Sequence, residues 1–185
     1  MRSDSDPYGA VGFVMARRLP GLQDGPSFFD ETEEPAAPRS DRRLIVEADG
    51  GSRGNPGPAA YGAVVRDAET SKVLAAEGLP IGRATNNVAE YRGLIAGLEM
   101  ARELDPTAAL EVRMDSKLVI EQMAGRWKVR HADMKPLALE AARLRPATVI
   151  WTWVPRELNK VADTLVNRAL DGDPMPRHYL LDRPG

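Results

Sequence analysis

Two short apolar runs, residues 44–49 (LIVEAD) and 110–115 (LEVRMD), each end in an aspartate, and this pairing restricts the fold more than any other feature. Strand side chains alternate between faces. Leu44, Val46 and Ala48 therefore share one face with Asp49 on the other, and Leu110, Val112 and Met114 share one face with Asp115 on the other. If the two strands are parallel neighbours, both aspartates lie on the rim at the strands' carboxyl ends. Open α/β sheets place their ligands in that crevice.

The neighbouring segments supply an α/β frame. Residues 60–67 (AYGAVVRD) and 72–79 (KVLAAEGL) read as two strands of an antiparallel meander, joined by a polar turn at 68–71. Residues 87–104 read as an amphipathic helix, with Tyr91, Leu94, Ile95, Leu98 and Ala101 at helical spacing. Asn87 and Glu90 have the spacing of a capping box. Residues 116–123 and 134–144 are expected helices, the second with Pro136 in its first turn. Residues 148–154 (TVIWTWV) read as a buried strand with Trp151 and Trp153 in the sheet core, and 159–170 as a closing helix. The order βββαβαβα, with one helix inserted before the last strand, predicts an α/β domain around a mixed sheet over 43–170. Residues 1–42, rich in proline and acidic residues, read as a weakly structured arm, and 171–185 as a tail or linker.

The acidic residues carry the chemistry. Glu90 falls in the first turn of the expected helix, and Asp163 about one turn into the closing helix, between Ala162 and Val166. Each has a plain structural alternative. Asp49 leads into GGSRGNPG, whose Gly, Asn and Pro are ordinary turn residues. Glu90 completes a capping box, and Asp115 before Ser116 starts a helix. Asp163 resists such an explanation, because VADTLVNRAL is apolar on its packing side and an unpaired buried carboxylate is costly. Four carboxylates converging on one rim repel unless cations neutralise them. The chain has no cysteine, so disulfides and thiolate metal sites are excluded. Oxygen ligands suit Mg²⁺ or Mn²⁺.

The formal net charge of -2 provides no global attraction to nucleic acid, so such binding requires a local patch. Residues 125–131 (GRWKVRH) mix an aromatic with several cations: Arg126, Lys128 and Arg130 are suited to a DNA backbone, with Trp127 stacking or packing on a sugar. The alternative is a solvated connector with Trp127 buried. No apolar run approaches the ~20 residues of a membrane span. The opening MRSDSDPYG lacks a signal-peptide pattern, so the expected location is the cytoplasm, without membrane association and as a monomer.

Four ordered segments, DGGSRGNPGPAAYG, TNNVAEYRGLIAGLE, MDSKLVIEQMAG and WVPRELNKVADTLVNRAL, closely resemble the type 1 ribonuclease H family across roughly residues 43–170. The resemblance implies a ribonuclease H-like fold, a five-stranded mixed sheet of order 3-2-1-4-5 flanked by helices. It implies endonucleolytic cleavage of the RNA strand of RNA–DNA hybrids. The family's metal-binding carboxylates carry over to Asp49, Glu90, Asp115 and Asp163, and its substrate contacts to Gly50, Asn55, Thr85, Asn86, Asn87 and Ser116. Two ions about 4 Å apart hold the attacking and leaving oxygens in such a displacement, giving 5′-phosphate products. Asp49 is assigned to both ions, Asp115 and Glu90 to one, and Asp163 to the other. A short polar residue such as Asn55 or Asn86 suits the 2′-hydroxyl, read from the minor groove, and the helix start at Thr85 suits a phosphate. Many members carry a histidine in the loop before the last helix; here that loop is PRELN, leaving Arg156 or Glu157 for the space. His131 and His178 fall elsewhere. The competing readings are a hybrid-binding module without catalysis and a DNA-directed nuclease on the same fold.

Overall fold

The β-branched and apolar residues of RLIVEADGGS form strand β1 (Arg43–Ser52), which is the centre of the sheet. The computed structural model describes residues 40–180, so all but the last few residues of the expected N-terminal arm lie outside the described part. β1 pairs antiparallel with β2 (Gly57–Asp67), and β2 with β3 (Val73–Ala84). Helix α1 (Asn86–Leu104) leads to β4 (Ala109–Met114), which lies parallel to β1 with Leu44 beside Leu110 and Val46 beside Val112. The short α2 (Lys117–Met123) and α3 (Met134–Leu144) precede β5 (Val149–Trp153), which is parallel to β4. A 3-10 turn at Arg156–Leu158, helix α4 (Lys160–Leu170) and β6 (Met175–Tyr179) complete the described chain. The sheet order is β5-β4-β1-β2-β3-β6. The expected run of five strands is present in its expected order, with a sixth strand beyond β3.

Leu44, Val46 and Ala48 are fully buried beneath α1, whose Tyr91, Leu94 and Leu98 form the main core with Val112 and Met114 of β4. α4 covers β2 and β3 from the other face, where Val166 and Ala169 pack on Ala60, and Leu165 on Val64 and Ala76. No helix among the described residues is long and apolar enough to cross a membrane.

Several local expectations change. The cap of α1 is Thr85, whose hydroxyl accepts the Val88 N–H, so Asn87 and Glu90 do not form a capping box. Glu90 is thereby released from helix capping and sits one residue deeper than the first turn. Residues 50–52 belong to β1, because they pair with residues 59–61 of β2. The turn is confined to residues 53–56. β5 is an edge strand, leaving Ile150 61% and Trp153 50% exposed, while Trp151 packs against the core.

The largest difference is β6, which forms where a tail or linker is expected. Its sequence, MPRHY, has no apolar alternation to announce a strand. The reason it docks is electrostatic. Glu77 on β3 is only 4% exposed and accepts the Tyr61 hydroxyl. A buried carboxylate needs a cation, and Arg177 supplies it at 2.7 Å while also bonding Glu103 at 2.7 Å and Glu99 at 2.6 Å on α1. Arg177→Ala leaves Glu77 uncompensated and is expected to cost about 3–5 kcal/mol. Urea unfolding of the variant measures this; a midpoint equal to wild type would mean that Glu77 does not depend on Arg177.

Candidate active site

The parallel β1–β4 ladder ends at the Glu47–Arg113 pair. Asp49 and Asp115 each lie two residues past that pair. The third carboxylate comes from α1. Its approach depends on glycine: a Cβ at Gly50 would lie 2.1 Å from the Glu90 nitrogen, and one at Gly93 would lie 2.6 Å from the Asp49 carbonyl oxygen. Helix and strand backbones touch here. As a result, one oxygen from each of Asp49, Glu90 and Asp115 lies within 4.8 Å of the others.

Asp49 and Glu90 are 5% and 6% exposed. Asp49 Oδ1 accepts the Gly50 N–H at 2.9 Å, and Asn86 Nδ2 donates to Glu90 Oε1 at 3.4 Å. Glu90 Oε2 is buried without a partner. Burial, and then the neighbouring Asp115, push the Asp49 carboxyl up to about 7. Burial, then Asp49 and Asp115, hold Glu90 well above the usual carboxylate range. Three converging oxygen donors, one of them lacking any partner, fit a hard divalent cation.

Asp163, on α4, lines the same cavity but is not one of this close trio. Its carboxylate is ion-paired with Arg156, and its Oδ2 also accepts Asn167 Nδ2 at 3.2 Å. Arg156 and Asn167 line the cavity too, whereas Glu157, His131 and His178 do not. Of the two candidates for the space left by the missing histidine, Arg156 is the one that faces this cavity.

The other candidate positions divide into two groups. Asn55 Oδ1 accepts the Asn86 N–H at 3.2 Å, which joins the turn to the start of α1 beside Glu90. Thr85 is occupied as the cap, and Asn87 is partly exposed in the first turn. Ser116 is the N-cap of α2 but makes no side-chain capping bond. Gly50 is buried under α1, which already accounts for a glycine there. Arg126, Trp127 and Lys128 line a separate groove with Gln122, Arg130 and His131. Trp127 is 48% exposed, contrary to a buried connector, and Arg126 is paired with Glu121 at 2.5 Å.

Two contacts to Asp115 had no counterpart in the sequence reading. Trp153 Nε1 donates to the Asp115 carbonyl at 3.0 Å. Asn159, 1% exposed, donates from Nδ2 to Asp115 Oδ1 at 2.9 Å and to the Ala48 carbonyl at 2.8 Å. An asparagine just before a helix reads as an N-cap, which conceals the second use of its side chain.

Residues 47–169 match a family model described as reverse transcriptase-like. A bifunctional protein of Mycobacterium tuberculosis is 58% identical over 131 residues, covering 70% of this chain and 36% of its own length. The chain thus spans about a third of that relative. Ribonuclease HI of Halobacterium salinarum is 43% identical over 144 residues, covering 76% of this chain and 71% of the relative. The structure of LC11-RNase H1 in complex with an RNA/DNA hybrid aligns with a TM-score of 0.66 and 40% identity, covering 70% of this chain and 97% of that one. A family match over most of the folded region, with the sheet order and three meeting carboxylates in keeping with it, shows that the chain belongs to the reverse transcriptase-like, type 1 ribonuclease H family.

Proposed function

We propose that this chain is an endonuclease that hydrolyses the RNA strand of RNA–DNA hybrids, leaving 5′-phosphates, with two divalent cations held by Asp49, Glu90, Asp115 and Asp163. The observation that carries the reading is the convergence of Asp49, Glu90 and Asp115 within 4.8 Å, with the buried Oε2 of Glu90 unpartnered. Mg²⁺, or Mn²⁺ in its place, neutralises the carboxylates when bound, lowers the pKa of a water and stabilises a leaving oxygen.

The protein's own part is to hold charge and substrate in register. Asp49, which interacts electrostatically with Glu90, Asp115 and Asp163, is assigned to both cations. Glu90 and Asp115 would hold one cation with it, and Asp163, now ion-paired with Arg156, would help hold the other. Arg156, released from that pair, would be available to a phosphate. Asn55 and Asn86, already hydrogen-bonded to each other, present short polar groups beside the acidic cavity. Such groups suit the 2′-hydroxyl, which distinguishes RNA from DNA. The relative solved with an RNA/DNA hybrid supports that substrate.

Arg126, Trp127 and Lys128 form the local basic patch that a chain of net charge -2 needs for nucleic acid. Lys128→Ala is expected to weaken hybrid binding in EDTA and reduce the salt slope by about one. Arg126→Ala should have the smaller effect, because Glu121 already neutralises that guanidinium. Fluorescence anisotropy at several salt concentrations measures both; an unchanged slope for Lys128→Ala would reduce the loop to a connector.

The test of the activity is cleavage of labelled hybrid, duplex RNA and duplex DNA by the intact chain with Mg²⁺ or Mn²⁺. Hybrid cleavage with 5′-phosphate ends is the expected result. Binding without cleavage, or cleavage of duplex DNA, would overturn it.

A further inference from the structure

Asn159 occupies the N-cap of α4, yet its side chain makes no capping bond. Asparagine is favoured there because its oxygen ordinarily accepts an N–H from the first helical turn. Here the amide is turned inward, and its Oδ1 is buried with no partner. A buried oxygen left unsatisfied costs stability. The residue therefore forgoes one favourable contact and leaves one group unsatisfied, and what it gains is two donated bonds, to Ala48 and Asp115.

Those two bonds lie beyond the last paired residues of β1 and β4. The paired register of β1 and β4 ends at Glu47–Arg113, two residues short of both Asp49 and Asp115, so pairing alone does not set the separation of the two carboxylates. Asn159 bridges the two strand ends, with one N–H on the carbonyl next to Asp49 and the other on the Asp115 carboxylate. Its backbone carbonyl also accepts the N–H of Asp163 at 3.1 Å. One residue thus ties together the local frames of three carboxylates.

We propose that Asn159 is a positioning residue for the acidic site: its side-chain amide holds Asp115 in orientation and fixes its separation from Asp49. This rests on the nuclease reading above. Asn159 touches neither substrate nor reacting atoms in this role. It acts through Asp115, in the way outer partners of metal ligands do, whose loss typically lowers metal affinity or activity 10–100-fold.

Asn159→Ser and Asn159→Asp separate positioning from capping. Both replacements are good N-caps; serine is too short to reach Asp115, and aspartate presents an acceptor where a donor is needed. The metal-stripped full chain is titrated with Mn²⁺ while its Tm is followed, and hybrid cleavage is measured with kcat and KM resolved. Both variants are expected to lose at least tenfold in kcat with KM within twofold, and to need at least fivefold more Mn²⁺ for half of the Tm rise. Wild-type kcat and Mn²⁺ midpoint in either folded variant would overturn the proposal, and should Asn159→Ser fail to fold, Asn159→Asp, equal in size, decides alone. If the wild type takes up Mn²⁺ but cuts no hybrid, the nuclease reading falls and Asn159 is judged by the Mn²⁺ midpoint. If it does neither, both fall.

Discussion

Asp49→Asn is expected to abolish hybrid cleavage, with a loss of at least about 10³-fold, while raising the Tm of the metal-free protein above neutral pH. Asparagine keeps the oxygen that accepts the Gly50 N–H, so the local backbone is retained. It removes a negative charge that burial and Asp115 already disfavour. The sign of the stability change follows from proton binding. The Asp49 carboxyl holds its proton in the folded chain up to about 7, against 3.8 ordinarily. Between those values the folded state binds more protons than the unfolded state, so wild-type stability falls as pH rises through that window. Glu90, raised for the same reason, adds to the fall. The variant lacks the Asp49 contribution, so it should exceed wild type by about 2 kcal/mol at pH 8, an order-of-magnitude figure, and match it near pH 4. Saturating Mg²⁺ should narrow or reverse the difference, because only the wild type retains the full ligand set. Thermal melts across pH, with and without Mg²⁺, measure all of this. Substantial cleavage by the variant would remove Asp49 from the metal assignment.

Gly50→Ala is expected to damage fold and site together. A methyl there would meet the backbone of Ala89 and Glu90 at 2.2 and 2.1 Å, and backbone atoms in a packed helix cannot give way as the end of a side chain can. The helix must move off the strand, carrying Glu90 away from Asp49 and Asp115. Overpacking of this kind costs ~3 kcal/mol or more. Cleavage should fall at least about 100-fold even at temperatures where the variant is folded, since a displacement of about 1 Å can have that effect. Urea unfolding and single-turnover cleavage separate the two losses. A variant of wild-type stability with only weaker hybrid binding would instead favour the substrate-contact role that the family resemblance implies for Gly50.

Much of the molecule is legible in its residues because two periodicities are strong. The alternation in LIVEAD and LEVRMD identifies two strands ending in aspartate, which the structure pairs in parallel, and the helical spacing of Tyr91, Leu94 and Leu98 identifies α1. Strand polarity and helix position group Asp49, Glu90, Asp115 and Asp163; the first three meet, while Asp163 lines the same cavity outside that trio. The errors have local causes. A threonine two residues earlier took the cap assigned to Asn87. The apolar run TVIWTWV predicts a core position for Trp153, but an edge strand buries little beyond its register with one neighbour.

Taken alone, the sequence determined the order of strands and helices along the chain, the placement of Asp49 and Asp115 at the ends of two strands and the absence of thiolate ligands from the site. These follow from side-chain period and residue type, which are local properties of the chain. Only the tertiary structure decided that β6 joins the sheet through Arg177 and that Arg156 pairs with Asp163. It likewise decided that Asn159 turns from its helix to Asp115. The first and the last depend on a partner distant in sequence, 100 residues for Arg177 and Glu77 and 44 for Asn159 and Asp115, and on the need of a buried charge or amide for that partner. No local pattern encodes such a need, because it arises only once packing has removed the water.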